Sequence, residues 1–378
     1  MAAERPGAWE VSRVLLLVGL AAFGGPVAHV ALMRRQVVER RRWVGEREFL
    51  GMFAACNLIP GPSSTELAIY LGYRLAGWPG LVLGGVLFIA PAMLLMLGIA
   101  VAYTRFGATP AGSAILHGVR PVVVAIMLWA LVELGRRVAG RWPLLLVGLA
   151  VLVLSRLGAN PLLLLLAGGA AVVAPRALGR LRPVASVAVL AAVGWPQWLL
   201  AGTRGRALPL FLTFVKIGAV TYGSGYVLFA FLQADLVDGL GWIQPRQLVD
   251  AVAIGQVTPG PVFTTATFLG YLAAGVPGAV LATLGIFLPG FLLVPLLARI
   301  VRLIESRPGV RSFLDGVNVA VIGLIAAVGL QLGTASITDG WTAAIAALGF
   351  PVLLWRPLSA PAVVLAGAVA GLGLWLAS

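Results

Sequence analysis

Apolar runs recur along the chain at 11–33, 49–73, 79–103, 116–134, 142–157 and 160–174, and again at 207–231, 248–271, 276–298, 316–334, 341–355 and 359–377. Runs of this kind predict membrane helices, because about 20 apolar residues at 1.5 Å rise cross a ~30 Å hydrocarbon core. Six segments are followed by six. A shift of 199 residues superposes Phe23-Gly24-Gly25 on Tyr222-Gly223-Ser224, Trp43 on Trp242 and Pro60-Gly61-Pro62 on Pro259-Gly260-Pro261. Further on, a shift of 198 matches Leu71-Gly72-Tyr73 to Leu269-Gly270-Tyr271 and Gly118-Val119 to Gly316-Val317. The chain is an internal duplication, read as a repeat at 1–183, a linker at 184–206 and a second repeat at 207–378.

Each Pro-Gly-Pro falls inside an apolar run, where a helix must break, and hydroxyl residues follow it. The segments 49–59 and 63–73 are each about 11 residues, roughly 16 Å, or half a bilayer core. Each pair therefore predicts a re-entrant helical hairpin that turns near the midplane and leaves by the side it entered. The loops fix the orientation of the repeats. The first, 34–48, carries Arg34, Arg35, Arg40, Arg41, Arg42 and Arg47, whereas its counterpart at 232–247 has Arg246 against Asp235 and Asp238. Arginine-rich loops stay cytoplasmic, so the two loops are expected on opposite faces, the mark of an inverted repeat. The fold class is an all-α integral membrane protein of two inverted-topology repeats, with about ten transmembrane helices plus two re-entrant hairpins. Trp195-Pro196-Gln197-Trp198 reads as interfacial, so 184–201 is taken not to cross.

Composition agrees: 60% of residues are hydrophobic and only 11% charged, against about 25% charged in soluble domains. The formal charge of +14 resides in short loops between spans, where it sets orientation, and nucleic acid is not expected as a partner. A single cysteine, Cys56, and two histidines, His29 and His117, give neither a disulfide framework nor a metal cluster, and no cofactor is expected. Arg5 and Arg13 precede the first apolar run, which has no convincing cleavage site and is read as a retained helix.

The candidate chemistry centres on the hairpin tips. A helix N-terminus with free N–H groups and hydroxyl donors favours an anion; alternatively the hydroxyls cap their own helix. The first tip offers Asn57, Pro60, Gly61, Ser63, Ser64, Thr65 and Glu66, and the second Gln256, Thr258, Gly260, Thr264 and Thr265. Gly24 and Gly25, with Gly223, Ser224 and Gly225, form glycine-rich breaks that let backbone approach closely. Lys216, the only lysine, stands inside an apolar span, where a cation is costly and usually functional; it reads as a counter-charge for the anion or as partner to Glu66. Glu66 carries a coupling proton or balances Lys216 or an arginine. Arg120 opens a span and points to the site or to water, and His29 reads as an interior or interfacial histidine.

Phe23-Gly24-Gly25-Pro26-Val27-Ala28-His29, Pro60-Gly61-Pro62-Ser63-Ser64-Thr65-Glu66, Lys216-Ile217-Gly218 with Tyr222-Gly223-Ser224-Gly225-Tyr226, and Gln256-Val257-Thr258-Pro259-Gly260-Pro261 together resemble the chromate ion transporter family in its long, two-domain form. That family usually has Phe-Gly-Gly-Gly-Tyr where Tyr222 and Ser224 depart here. The resemblance implies export of chromate from a bacterial cytoplasm across the inner membrane, driven by the proton gradient, with sulfate as a mimic. The partners are then a small inorganic oxyanion and the lipid bilayer, and pairing of two copies stays open. The alternatives are a transporter or channel for another anion such as sulfate, or a lipid-modifying membrane enzyme. The enzyme fits less well, because the repeated polar cluster lies at mid-depth rather than at a membrane face.

Overall fold

The structure, a computed structural model, describes residues 6–22, 26–136, 138, 141–177, 205–222, 225–305, 308–355 and 359–377. The interfacial reading of 184–201 lies outside them. The described residues are helical, with no strand, and fall into two series of seven. The first is α1 (Ala8–Ala21), α2 (Pro26–Arg34, continued as a π-helix over Arg35–Arg40), α3 (Glu46–Cys56), α4 (Ser63–Phe106), α5 (Pro110–Arg136), α6 (Trp142–Arg156) and α7 (Pro161–Ala177). The second is α8 (Ala207–Val220), α9 (Val227–Leu232, continued as a π-helix over Gln233–Gly239), α10 (Pro245–Val257), α11 (Thr265–Glu305, after a 3-10 turn at Val262–Thr264), α12 (Pro308–Ser336), α13 (Gly340–Trp355) and α14 (Ala360–Ala377). Among the described residues, five stretches are long and apolar enough to cross a membrane: Ser63–Phe106, Pro110–Arg136, Val262–Arg299, Ser312–Ser336 and Ala360–Ala377.

α4 and α11 are not straight. α4 leaves helical geometry at Ala76 and Gly77, where Gly77 has φ 65° and ψ −151°, and α11 does so at Ala274 and Gly275, with φ 64° and ψ −155°. Such angles are almost exclusive to glycine. Beyond the bend the chain doubles back: a Cβ at Gly72 would strike the Gly80 carbonyl, and one at Gly85 would lie against Ile69. Gly270 and Gly278 meet in the same way. Each long helix is therefore a short limb and a long limb in contact, and Pro79 and Pro277 sit at the start of the long limb, where a missing N–H costs little.

Small residues set the remaining crossings, as expected where lipid supplies no hydrophobic drive. Gly19 of α1 abuts the Phe88 carbonyl of α4, and Gly218 of α8 abuts that of Ile286 in α11. Between halves, Gly118 of α5 meets Gly367 and Gly371 of α14, while Gly316 of α12 meets Gly168 and Gly169 of α7. α5 also packs on α13, and α12 on α6. Each half thus lays its last two helices against the fifth helix of the other, which ties the halves into one body and relates them by a pseudo-two-fold axis.

Candidate functional site

The tips are built by removing donors and then bending sharply. α3 ends where the Asn57 N–H bonds to Phe53 and Ala54 carbonyls at 3.3 and 3.2 Å. The Asn57 side chain staples the loop, its amide donating to Phe53 O (2.9 Å) and its carbonyl accepting from Ser63 Oγ (2.8 Å). Pro60 and Pro62 have no N–H, and between them Gly61 takes φ 133°, as Gly260 takes φ 96°. A Cβ at Gly61 would overlap Glu66 Oε1, and one at Gly260 would press on Ala92.

Each tip glycine then reaches into the other half. The Gly61 N–H donates to Thr221 O at 2.7 Å, and the Gly260 N–H to Ala22 O at 3.3 Å. Residues 61 and 260, like 22 and 221, are 199 apart, so this is one bond written twice. It binds each tip to the end of the first helix of the opposite repeat, where the glycine-rich breaks begin. A third tie, from the Tyr222 hydroxyl to the Asn57 carbonyl, has no counterpart. Of the breaks, Gly24, Gly25, Gly223 and Ser224 lie outside the described residues; Gly225 faces Val262 of the second tip.

The two tips offer different donors. In the first, Thr65 and Glu66 N–H groups close on Pro62 O at 2.7 and 3.0 Å, so the amides of Ser63 and Ser64 precede the first intrahelical bond. In the second, Thr264 is committed twice to Pro261 O, through its N–H (2.9 Å) and its hydroxyl (2.7 Å). Thr265 Oγ1 donates to Val262 O at 2.7 Å, and its amide also closes the turn. The expectation that these two hydroxyls are free donors is therefore corrected: they cap their own turn, and the leading amides are those of Val262 and Phe263, the equivalents of Ser63 and Ser64. Thr258 bonds weakly to Met96 Sδ and to Gly255 O, and Gln256 is half-buried at the end of α10.

Behind the first tip lies a buried polar cluster. His29 Nδ1 sits 3.2 Å from Ser64 Oγ, and the ring stands edge-on to Phe88. Thr65 Oγ1, His29 Nε2 and both oxygens of Glu66 are buried without a hydrogen-bond partner. Glu66 therefore does not balance Lys216, and that pairing is corrected. Lys216 Nζ instead bonds Asp235 Oδ1 at 2.6 Å, because both side chains face the cleft between α8 and the π-helix after α9. Arg120 lies within α5 rather than at its start and grips Asp250 of α10 with two bonds of 2.8 and 2.9 Å, its side chain still 20% exposed. The Tyr103 hydroxyl adds a third bond to Asp250 at 2.8 Å. Asp250 is fully buried and was not singled out in the sequence, although an acid inside the apolar run 248–271 was the signal.

This repeated architecture matches the chromate transporter family twice, at residues 9–173 and 208–372. The chain belongs to the chromate transporter family. The two matches start 199 residues apart, the same offset that relates the tips. Among curated proteins the chain is similar to the chromate transport protein of Cupriavidus metallidurans, at 35% identity over 94% of this chain and 90% of that one. It is similar to the chromate transport protein of Pseudomonas aeruginosa at 34% identity, over 96% of this chain and 90% of that one. The probable chromate transport protein of Synechococcus elongatus is 31% identical over 97% of this chain and 95% of its own length. No solved structure matches. As a member of the chromate transporter family, the chain is a multi-pass membrane transporter and not an enzyme.

Proposed function

We propose that the protein exports a small tetrahedral oxyanion, chromate above all, from the bacterial cytoplasm across the inner membrane, as a secondary transporter driven by the proton gradient, with sulfate accepted as a mimic. The observation that carries this reading is the pair of crossed bonds, Gly61 N–H to Thr221 O and Gly260 N–H to Ala22 O. Each bond ties one repeat's tip to the end of the other repeat's first helix, which supports a site shared by the two helix N-termini. A dianion with four acceptor oxygens and no donors needs convergent donors, and the leading amides of Ser63 and Ser64 with those of Val262 and Phe263 are such a set, reinforced by two helix dipoles. The arginine-rich loop 34–48 argues that the axis lies in the membrane plane, which makes the repeats inverted and the two short-limbed breaks re-entrant hairpins.

Glu66 supplies the coupling. Its carboxyl touches the tip at Gly61 and, among the described residues, has no hydrogen-bond or cation partner. A bound dianion next to an ionised carboxylate would be repelled across a water-poor space, so oxyanion binding and the protonation of Glu66 are linked, which is what coupling to a proton gradient requires. Uptake of labelled chromate and sulfate into everted vesicles tests the proposal. We expect saturable chromate uptake that rises with an imposed proton gradient and is competed by sulfate; uptake that follows voltage alone without saturating would replace the transporter with a channel.

A further inference from the structure

Away from the tips, a cavity of about 610 Å³ lies between α8, the π-helix after α9, the turn joining α6 to α7, and α12. Lys216 and Asp235 form its ion pair, and Gln233, Asp238, Asn160 and Gln331 also line it. The rim at Asp238 and Gly239 is exposed. Inside, two acceptor oxygens stand buried without a partner: Asp235 Oδ2, and Oε1 of Gln233, a side chain only 2% exposed. The Gln233 amide is already spent on Asp238 Oδ1 at 2.9 Å. The backbone here is a π-helix, Gln233–Gly239, a local distortion that often marks function. The first repeat has the equivalent π-helix, Arg35–Arg40, but not the ion pair, since Leu17 and Gln36 occupy the positions of Lys216 and Asp235.

A buried acceptor pair beside one ammonium calls for a donor, and the smallest donor is a proton. We propose that this cavity is a proton-loading exit subsite, in which Asp235 Oδ2 takes a proton from the outer solution and Lys216, released from its ion pair, offers its ammonium to the departing oxyanion. The step balances: hydronium gives its proton to the carboxylate and leaves as water, Asp235 becomes neutral, and the Lys216 charge loses its counter-ion. The oxyanion supplies that charge on its way out. Burial pushes the Asp235 carboxyl above its ordinary value, and the Lys216 ammonium pulls it back only in part, so the proton is taken up at a higher pH than by a free aspartate. The charged groups lining the cavity are Lys216 on α8 and Asp235 and Asp238 on the π-helix; α6, α7 and α12 contribute uncharged residues.

The inference rests on the transport reading above, and the test separates the two. Exchange of labelled for unlabelled chromate is measured in proteoliposomes while pH is varied only on the face bearing 232–247. For the wild type we expect the rate to rise as that pH falls. Asp235→Asn should be fast and indifferent to outer pH, and Lys216→Gln slow and equally indifferent. A wild-type pH profile in either variant overturns the subsite. Should Asp235→Asn not reconstitute, Lys216→Gln decides alone by the same criterion. Wild-type exchange that ignores outer pH defeats the subsite and leaves the transporter standing, whereas wild type that exchanges neither chromate nor sulfate at any pH defeats the transport reading itself.

Discussion

Gly61 and Gly260 show how a residue without a side chain organises this protein. Each holds a positive φ between two prolines, and each uses its N–H to cross into the other half. Both were legible in the sequence because Pro-Gly-Pro repeats at a fixed offset, but the carbonyls that receive them, on Thr221 and Ala22, were not, since contact between segments so far apart along the chain leaves no local pattern. The hydroxyls were only half legible. Ser64 and Thr265 look alike in sequence, yet Thr265 spends its proton on Val262 O, whereas Ser64 meets His29. The consequence is asymmetric. Thr265→Val should cost about 1 kcal/mol of stability and leave chromate affinity unchanged in a binding titration. Ser64→Asp puts a negative charge at the amide set and should abolish binding while the protein still folds, because a helix N-terminus favours an acid by about 0.3–1 kcal/mol.

At the scale of elements, apolar periodicity located the helices, and glycine with proline located their breaks. What it could not supply was the reversal at Gly77 and Gly275, because an apolar run carries no mark of the direction in which the chain continues. Nor did it supply the clamp by which α5 holds α10. Arg120, Asp250 and Tyr103 come from three helices, and only burial of Asp250 makes their meeting obligatory. Removing one partner from such a buried pair leaves a bare charge and typically costs about 3–5 kcal/mol. Arg120→Ala should therefore lower the thermal midpoint sharply in detergent, and Arg120→Ala combined with Asp250→Ala should recover part of the loss. A single variant as stable as wild type would show that the clamp holds nothing.

For the whole molecule, the duplication was readable because the offset is nearly constant, while the exchange of terminal helix pairs between halves was not, since packing partners in a bundle follow from three-dimensional fit. Two copies on an in-plane axis require the loops at 34–48 and 232–247 to face opposite sides. In a Cys56→Ala background, Arg41→Cys and Gln244→Cys should label from opposite faces of intact and permeabilised cells, and labelling from one face would make the repeats parallel. The central claim is that both repeats share one oxyanion at their crossed tips. The most direct measurement is a chromate-soaked crystal, with data collected across the chromium absorption edge. We predict a chromium peak within hydrogen-bond reach of the Ser63, Ser64, Val262 and Phe263 amides; a peak elsewhere, with the tips empty in a preparation that transports chromate, would contradict the account.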